Sequence, residues 1–387
     1  MPKRTIHRRP CVLLAMGWFV HEINVGVARY ARSAGWILED LASHSGVIDP
    51  EWSGDGIITL VENLNSPLVG FLERAKVPVV DLSGNVRELA YPRVLPDNHA
   101  IGRTAAEELV GRGFKHLAFF TIDRDVPVVV ERMAGFRETA LAAGCSFQVL
   151  DFTDEVRKGK GRQAMIRWLA GELKKLPKPV GAMAQFDAEA NIIVQACIQA
   201  GLHVPEQVAV VGVDNDPIYS ELGPIPLTSV ISNRELSGYR GAELLDKLMR
   251  GGKAPAEPVR IPPGGIVVRR STDIFATDDT GLSKALRFIK THAAQPMTID
   301  QIVKASGVSR RALYGKFAKH LGRSIQAEIV RQRLNLAKNL LSSTDNKLDA
   351  IAYDSGFDGA SSLSKVFRAH EGIPPSVYRE RYRSSRS

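Results

Sequence analysis

The sequence predicts a two-lobed α/β domain of doubly wound type followed by an all-α domain that carries two helix-turn-helix motifs. Three observations predict it. From residue 11 to about 232, short β-branched runs alternate with amphipathic helical stretches, the pattern of parallel sheets covered by helices on both faces. The stretch TDIFATDDTG at 272–281 breaks that alternation, and the chain beyond it reads as helical throughout. Charge divides at the same place. Residues 282–387 hold 19 Lys and Arg against 8 Asp and Glu, which leaves 32 against 34 before them, so the net charge of +9 comes wholly from the tail. A length of 387 residues also exceeds what one hydrophobic core usually serves.

The first element needs care, because MPKRTIHRRP followed by CVLLAMGWFV imitates the basic and apolar regions of a signal peptide. No small-residue cleavage site follows. HEINVGVARYARSAG instead has helical spacing, with Ile23, Val27 and Tyr30 on one side, so the apolar run reads as a buried strand feeding a helix. The further strands are GIITL, VPVVDL, HLAFFTI, FQVLDF, VGAMAQF and VAVVGVD, with more crossing segments near 229–268. NHAIGRTAAEELVGRG and ERMAGFRETALAAG are helices between them. Folds of this type bind ligands beyond the carboxyl ends of their strands. The domain boundaries read from the pattern are 1–275, a linker at 276–282, and 283–387.

In the tail, TIDQIVKASGVSRRALYGKF sets Ile299, Ile302 and Val303 on one helical face. Gly307 follows at a turn that needs positive φ, then Ser309 as an N-cap and Leu313 and Phe317 as the inner face of a second helix. The plan recurs 49 residues later in LDAIAYDSGFDGASSLSKVF, through Leu348, Ile351, Ala352, Gly356, Leu363 and Phe367. SIQAEIVRQRLNLAKNLLSS keeps Ile325, Ile329, Leu336 and Leu340 near one face and reads as a connecting helix about 27 Å long. That length suits two recognition helices in successive major grooves, about 34 Å apart. A basic segment beside a near-neutral one points to nucleic acid as the partner of the tail, with a solvated basic face as the alternative.

These residues, above all RQRLNLAKNLL and IAYDSGFDGASSLSKVFRAHEGIPPSVYRERYR, resemble the AraC family of transcription regulators over 283–383. The outward face of the first recognition helix carries Arg310, Arg311 and Tyr314, and the resemblance implies base-facing roles for Arg311 and Tyr314. Arg311 suits a bidentate pair with guanine, while Arg310 and Lys316 suit phosphates. Ser309 stands at the same end of the helix. In the second unit Ala360, Ser361, Ser362 and Lys365 occupy the matching face, and their small side chains imply weaker reading.

The front of the chain, in DNHAIGRTAAEELVGRGFKHLAFF, ERMAGFRETALAAG and GLHVPEQVAVVGVDND to PLTSV, resembles the effector domain of LacI-type repressors, which is similar in turn to periplasmic sugar-binding proteins. This resemblance covers about residues 10–272 and implies a periplasmic-binding-protein-like sensor whose ligand, held between the lobes, favours one arrangement of them. Joined to an AraC-type tail it is the arrangement of bacterial xylose-operon regulators. Arg132, Asp187 and Asp214 match the ligand contacts implied, and carboxylates and guanidinium groups suit sugar hydroxyls. Each has an alternative: the two aspartates follow strands and suit helix N-caps, and Arg132 suits a helix surface. Trp18, Phe19 and His21 follow the first strand; the aromatics suit a pyranose face or ordinary packing. The run VPVVV between Asp125 and Glu131 departs from the polar lining a sugar needs.

The expected function is therefore a ligand-responsive, sequence-specific regulator of transcription. Its partners would be double-stranded promoter DNA, a small effector such as the pentose D-xylose, a second copy of the chain and RNA polymerase. A different metabolite, or no ligand, is the alternative. No GxGxxG after a strand, GxxxxGK[ST], GxSxG or HExxH occurs, so neither an enzyme nor a cofactor is expected; GKGKGRQ from Gly159 reads as a solvated loop. Cys11, Cys145 and Cys197 lie too far apart for a CxxC pair, so no metal site is expected and a reducing cytoplasm fits. No run of 18 apolar residues suggests a membrane span.

Overall fold

A computed structural model of the chain describes residues 8–40, 49, 51–86, 88–274 and 279–382. The chain divides into two compact units. The first takes the chain up to Asp97 with Val126–Val128 and Asn233–Pro262; the second takes Asn98–Asp125, Val129–Ser232 and the chain from Pro263 onward.

The α/β part runs β1 (Cys11–Met16), α1 (His21–Ala34), β2 (Ile37–Glu39), β3 (Gly56–Leu60), α2 (Pro67–Arg74), β4 (Val79–Asp81), β5 (Val94–Pro96) and α3 (Asn98–Gly111). It continues through β6 (His116–Thr121), α4 (Pro127–Ala142), β7 (Ser146–Asp151), α5 (Thr153–Arg157), α6 (Arg162–Lys175), β8 (Val180–Ala184) and α7 (Asp187–Ala200). It closes with β9 (Val208–Val213), α8 (Pro217–Ser220), β10 (Thr228–Val230), α9 (Arg234–Met249), β11 (Val259–Ile261) and β12 (Ile266–Val267). All seven runs read as strands form strands. β2, β5 and β11 are too short to show any period in the sequence.

In the first unit a parallel sheet has the order β2-β1-β3-β4. Every residue of β1 after Cys11 and every residue of β3 is buried, as a strand covered on both faces requires. The signal-like run 11–16 is thus interior to a sheet. Helices α1 and α9 meet at backbone contact: a Cβ on Gly26 would lie 1.9 Å from the Glu235 carbonyl oxygen, and one on Gly238 2.1 Å from that of Ile23.

The second unit repeats the plan with the sheet order β12-β10-β9-β8-β6-β7, parallel except that β12 runs antiparallel to β10. Phe120, Phe152, Leu169, Ile193 and Val210 centre its core. Here α3 and α4 cross just as closely, with Gly102 against the Arg132 carbonyl oxygen and Gly135 against that of His99.

The tail comprises α10 (Thr280–Thr291), α11 (Ile299–Ser306), α12 (Arg310–Leu321), α13 (Ile325–Ser343), α14 (Leu348–Asp354), α15 (Ala360–Glu371) and α16 (Pro375–Tyr382). Of the linker expected at 276–282, residues 276–278 lie outside the described residues, Asp279 caps α10 through the Leu282 N–H, and 280–282 already belong to that helix. Ile302, Leu313, Phe317, Ile325 and Ile329 build one small core; Leu334, Ala337, Leu341, Ile351, Leu363 and Phe367 build the other. The connecting helix α13 therefore differs from the single apolar face expected. Ile325 and Ile329 face the first core, but Leu334, Ala337 and Leu341, not Leu336, carry the second, from about the opposite side of the helix at 100° per residue. Each helix-turn-helix has a core of its own to fill, so the connector must present two faces. Gly307 and Gly356 hold the turns at φ 70° and 84°.

Candidate functional site

Two clusters matter, one at the carboxyl ends of the strands of the second unit and one on the tail. The first centres on Arg132, which is 2% exposed. Its Nε donates to Asn98 Oδ1 at 3.0 Å and its Nη1 to the Gln185 carbonyl oxygen at 2.5 Å. Nη2 lies 4.0 Å from Asp214 Oδ1, and the guanidinium sits 4.6 Å from the centroid of the Phe186 ring. Arg132 is thus no surface helix residue; the start of α3, the turn between β8 and α7 and the residue after β9 together aim it.

Asp214 follows β9 with φ 102°, and Asn215 follows with φ 57°. Consecutive non-glycine residues at positive φ persist only where the surroundings hold them, and such sites cluster where function needs them. Here the Asp214 N–H donates to the Val230 carbonyl oxygen at 2.8 Å, Ser232 Oγ donates to Asp214 Oδ1 at 2.7 Å, and the Asn215 N–H donates to Ser229 Oγ at 2.9 Å.

Asp187 opens α7 behind this loop. Its Oδ1 accepts from Ser229 Oγ at 2.7 Å and its Oδ2 from the Asp216 N–H at 2.9 Å, so both oxygens are engaged inside the protein and brace residues 214–216. A side chain at Gly212 would meet Asp187 Oδ1 at 2.0 Å, which explains the glycine. The capping alternative is not what forms: Phe186 is the N-cap of α7, and Asp216, not Asp214, caps α8 through the Ile218 N–H. Burial pushes the Asp187 carboxyl up to about 7, against the hydrogen bond from Ser229.

Sequence reasoning passed over Asn98, Gln185, Phe186 and Glu189. The last three stand in QFDAEA beside the aspartate singled out, but nothing in their spacing shows that Arg132 arrives from 53 residues away. Glu189, in the first turn of α7, buries an Oε2 that has no hydrogen-bond partner, and burial pushes its carboxyl up to about 7. In the first unit, Trp18 and Phe19 are 38% and 51% exposed and His21 is exposed, so none of the three belongs to a core. The VPVVV run forms the start of α4, where Val129 is buried and Val130 is 41% exposed.

On the tail, Ser309 caps α12 through the Ala312 N–H at 3.3 Å. Arg311 is exposed and Tyr314 is 44% exposed, while Leu313 and Phe317 are fully buried on the inner face. Arg310 pairs with Asp300, an ion pair open to solvent. Lys316 differs from the expected phosphate contact: it is half-buried and paired with Asp279, whose carboxyl it holds below the usual range, because the side chain leans back toward α10. In the second unit Ser361 and Lys365 are exposed and Ser362 half-buried. Gly359 offers no side-chain cap to α15, and Asp349 supplies one by accepting from the Ala360 N–H at 3.2 Å.

Residues 106–272 match a periplasmic binding protein-like domain, and residues 302–381 a helix-turn-helix domain. The xylose operon regulatory protein of Escherichia coli (strain K12) is 29% identical over 97% of both chains. The HTH-type transcriptional regulator CelR of Thermobifida fusca is 30% identical over 62% of this chain and 71% of its own. A solved structure of the xylose-binding transcription activator xylR superposes with a TM-score of 0.60 at 25% identity, covering 98% of this chain and all of that one. Among the described residues no helix is long and apolar enough to cross a membrane. The chain therefore belongs to the transcription regulators that join a periplasmic-binding-protein-like sensor to an AraC-type helix-turn-helix domain, the architecture of the xylose operon regulators.

Proposed function

We propose that this regulator senses a neutral sugar, D-xylose first among the pentoses, and that Arg132, Asp214 and Glu189 meet its hydroxyls. The observation that carries the reading is the group of buried charged side chains just beyond the carboxyl ends of β8 and β9, where Glu189 keeps an unpartnered oxygen. Trp18, Phe19 and His21 are proposed as further contacts, on the ground that their exposed rings follow the carboxyl end of β1. Binding biases the equilibrium between sensor states by its differential affinity for them. Arg311 and Tyr314 read bases, Ser309, Arg310 and Lys365 meet the backbone, and Ser361 and Ser362 read weakly. The working species is a cytoplasmic homodimer, acting with RNA polymerase at promoters; the sensor spans 1–275 and the DNA-binding domain 283–387.

A second reading, a less polar metabolite, is favoured by Val130, exposed at the start of the helix that carries Arg132. The deciding experiment is a DNA-binding titration at fixed salt on the promoter of the chain's own gene, with and without D-xylose, L-arabinose and D-ribose. A change in affinity with D-xylose alone supports the assignment. Specific binding that ignores every pentose overturns it and leaves the second reading.

A further inference from the structure

Helix α3 begins at the effector cluster and ends at the tail. Its first residue, Asn98, accepts from Arg132 Nε, and about 15–20 Å further along its axis Glu108 and the Gly111 carbonyl face the connecting helix α13. There Arg112 Nε donates to Glu108 Oε1 at 2.5 Å, Arg331 Nη1 lies 3.8 Å from Glu108 Oε2, and Arg323 Nη2 donates to the Gly111 carbonyl. On the tail side Glu328 binds both arginines: Arg323 Nε at 2.6 Å, Arg331 Nε at 3.1 Å and Arg331 Nη2 at 2.9 Å, with Gln332 Nε2 at 2.7 Å. Glu108, Arg112 and Glu328 are at most 4% exposed. Burial alone would raise the Glu328 carboxyl, but Arg331 and Arg323 hold it below the usual range, so it stays charged. None of these residues lies on α12 or α15.

We infer that Glu108 and Arg331 are positioning residues for the sugar response: they clamp the DNA-reading domain to the end of α3, so that a shift of Arg132 at one end of that helix moves the double helix-turn-helix at the other. The contact suits the role because parting α13 from α3 gives up the Glu108–Arg331 attraction and the Arg323 bond to the Gly111 carbonyl together, among side chains largely shielded from water, while Glu108 keeps Arg112 and Arg331 keeps Glu328. A helix is stiff along its axis, so the two ends of α3 move together. The inference rests on the reading of Arg132 as an effector contact.

The test uses the full chain as wild type, Glu108→Gln, Arg331→Gln and the double variant, titrated on the promoter fragment at fixed salt with and without D-xylose. Each single variant is expected to keep its sugar-free DNA affinity within about threefold, while the xylose-dependent change in affinity shrinks at least about fivefold. The double variant should lose no more than the singles, as coupled partners do. A full xylose response in either single variant overturns the inference, as does an equal, additive loss of affinity with and without sugar. Hydrogen exchange on the wild type stands in if a variant fails to fold. A joint change on adding xylose at Val110–Arg112 and Glu328–Gln332 supports the clamp, and a change confined to α4 and α7 overturns it. A wild type that ignores xylose removes the sugar reading instead. The clamp is then judged with promoter DNA as the only added probe: protection at both segments supports it, and protection at Glu328–Gln332 alone overturns it.

Discussion

Replacing Gly102 with alanine puts a number on how tightly the cluster around Arg132 depends on helix packing. A Cβ at that position would lie 1.9 Å from the Arg132 carbonyl oxygen and 2.8 Å from the Phe136 nitrogen, both backbone atoms that no side-chain rotation can move aside. Ordinary van der Waals contact begins at 3.4 Å, so α4 must retreat by about 1.5 Å. The guanidinium of Arg132 travels with it, and contacts of 3.0 Å to Asn98 and 2.5 Å to Gln185 stretch out of hydrogen-bonding range. Overpacking costs about 1–3 kcal/mol, and each bond lost from a buried charge about 1.5–3 kcal/mol. We expect Gly102→Ala to lower Tm by several degrees and sugar affinity, measured by calorimetry, at least about tenfold, since 1.4 kcal/mol is a factor of ten. Gly171→Ala is the control. It lies exposed in α6 with no atom within 4 Å of its Cβ and should gain about 0.5–1 kcal/mol from helix propensity alone. A Gly102→Ala protein with the control's Tm and the wild-type sugar affinity would refute the reasoning.

Three further outcomes follow from the same contacts. Arg311→Ala should weaken operator binding by about 1–3 kcal/mol and relax preference at one base pair, read by titration on single-base operator variants; an equal loss on every sequence would reassign Arg311 to phosphate. Glu328→Gln leaves Arg323 and Arg331, both about three-quarters buried, without their shared carboxylate, and should cost about 3–5 kcal/mol in thermal or urea unfolding. A loss below about 1 kcal/mol contradicts that account. Asp187 has a folded pKa of about 7, above its unfolded value of 3.8, so the native chain holds a proton that the unfolded chain releases between those values. Its contribution to stability is whole below pH 4 and is lost as pH rises through 7, in sum about 4 kcal/mol at 1.36 kcal/mol per unit. Asp187→Asn, whose amide can still accept from the Asp216 N–H and donate to Ser229, should flatten the stability profile between pH 5 and 7. An unchanged slope refutes the assignment.

How much of this was legible in the sequence depends on the range of the contacts. The buried strands, both turn glycines and the inner faces at Leu313, Phe317, Leu363 and Phe367 were readable because period and position carry them. Ser309 was readable as a cap because the cap is three residues from its partner. The connecting helix misled through Leu336, because two cores on opposite sides of one helix average to a false single face; Leu340 does pack against the second core. Lys316 misled because Asp279 comes from 37 residues away. The Asp187 carboxylate, spent on Ser229 and the Asp216 N–H, could not be told from a ligand contact by residue type. Glu189 carried no signal at all: an acid in the first turn of a helix is common, and only burial without a partner sets it apart.

The distribution of charge pairs in this chain follows what each pair has to withstand. Arg310–Asp300 lies at the N-terminal end of α12 with side chains 54% and 81% exposed, and such pairs contribute about 0–1 kcal/mol. A phosphate can therefore take Arg310 from Asp300 at little cost. Glu328, by contrast, is fully buried between two arginines, and Glu108 is 4% exposed beside Arg112 and Arg331. Glu328 keeps its two arginines and Glu108 keeps Arg112 when the tail shifts, so what holds the tail to α3 is the Glu108–Arg331 attraction at 3.8 Å and the Arg323 bond to the Gly111 carbonyl, both largely shielded from water. If Arg310 meets DNA as proposed, an exposed pair there and shielded contacts between α13 and α3 would let DNA come and go without loosening the tail's attachment. Raising salt should accordingly weaken DNA binding steeply while leaving the Glu108–Arg331 clamp intact, because screening acts on exposed charges and hardly reaches buried ones. Hydrogen exchange at Glu328–Gln332, followed from low to high salt without DNA, checks this; exchange that accelerates in step with the loss of DNA affinity would show that the clamp is no stronger than a surface pair.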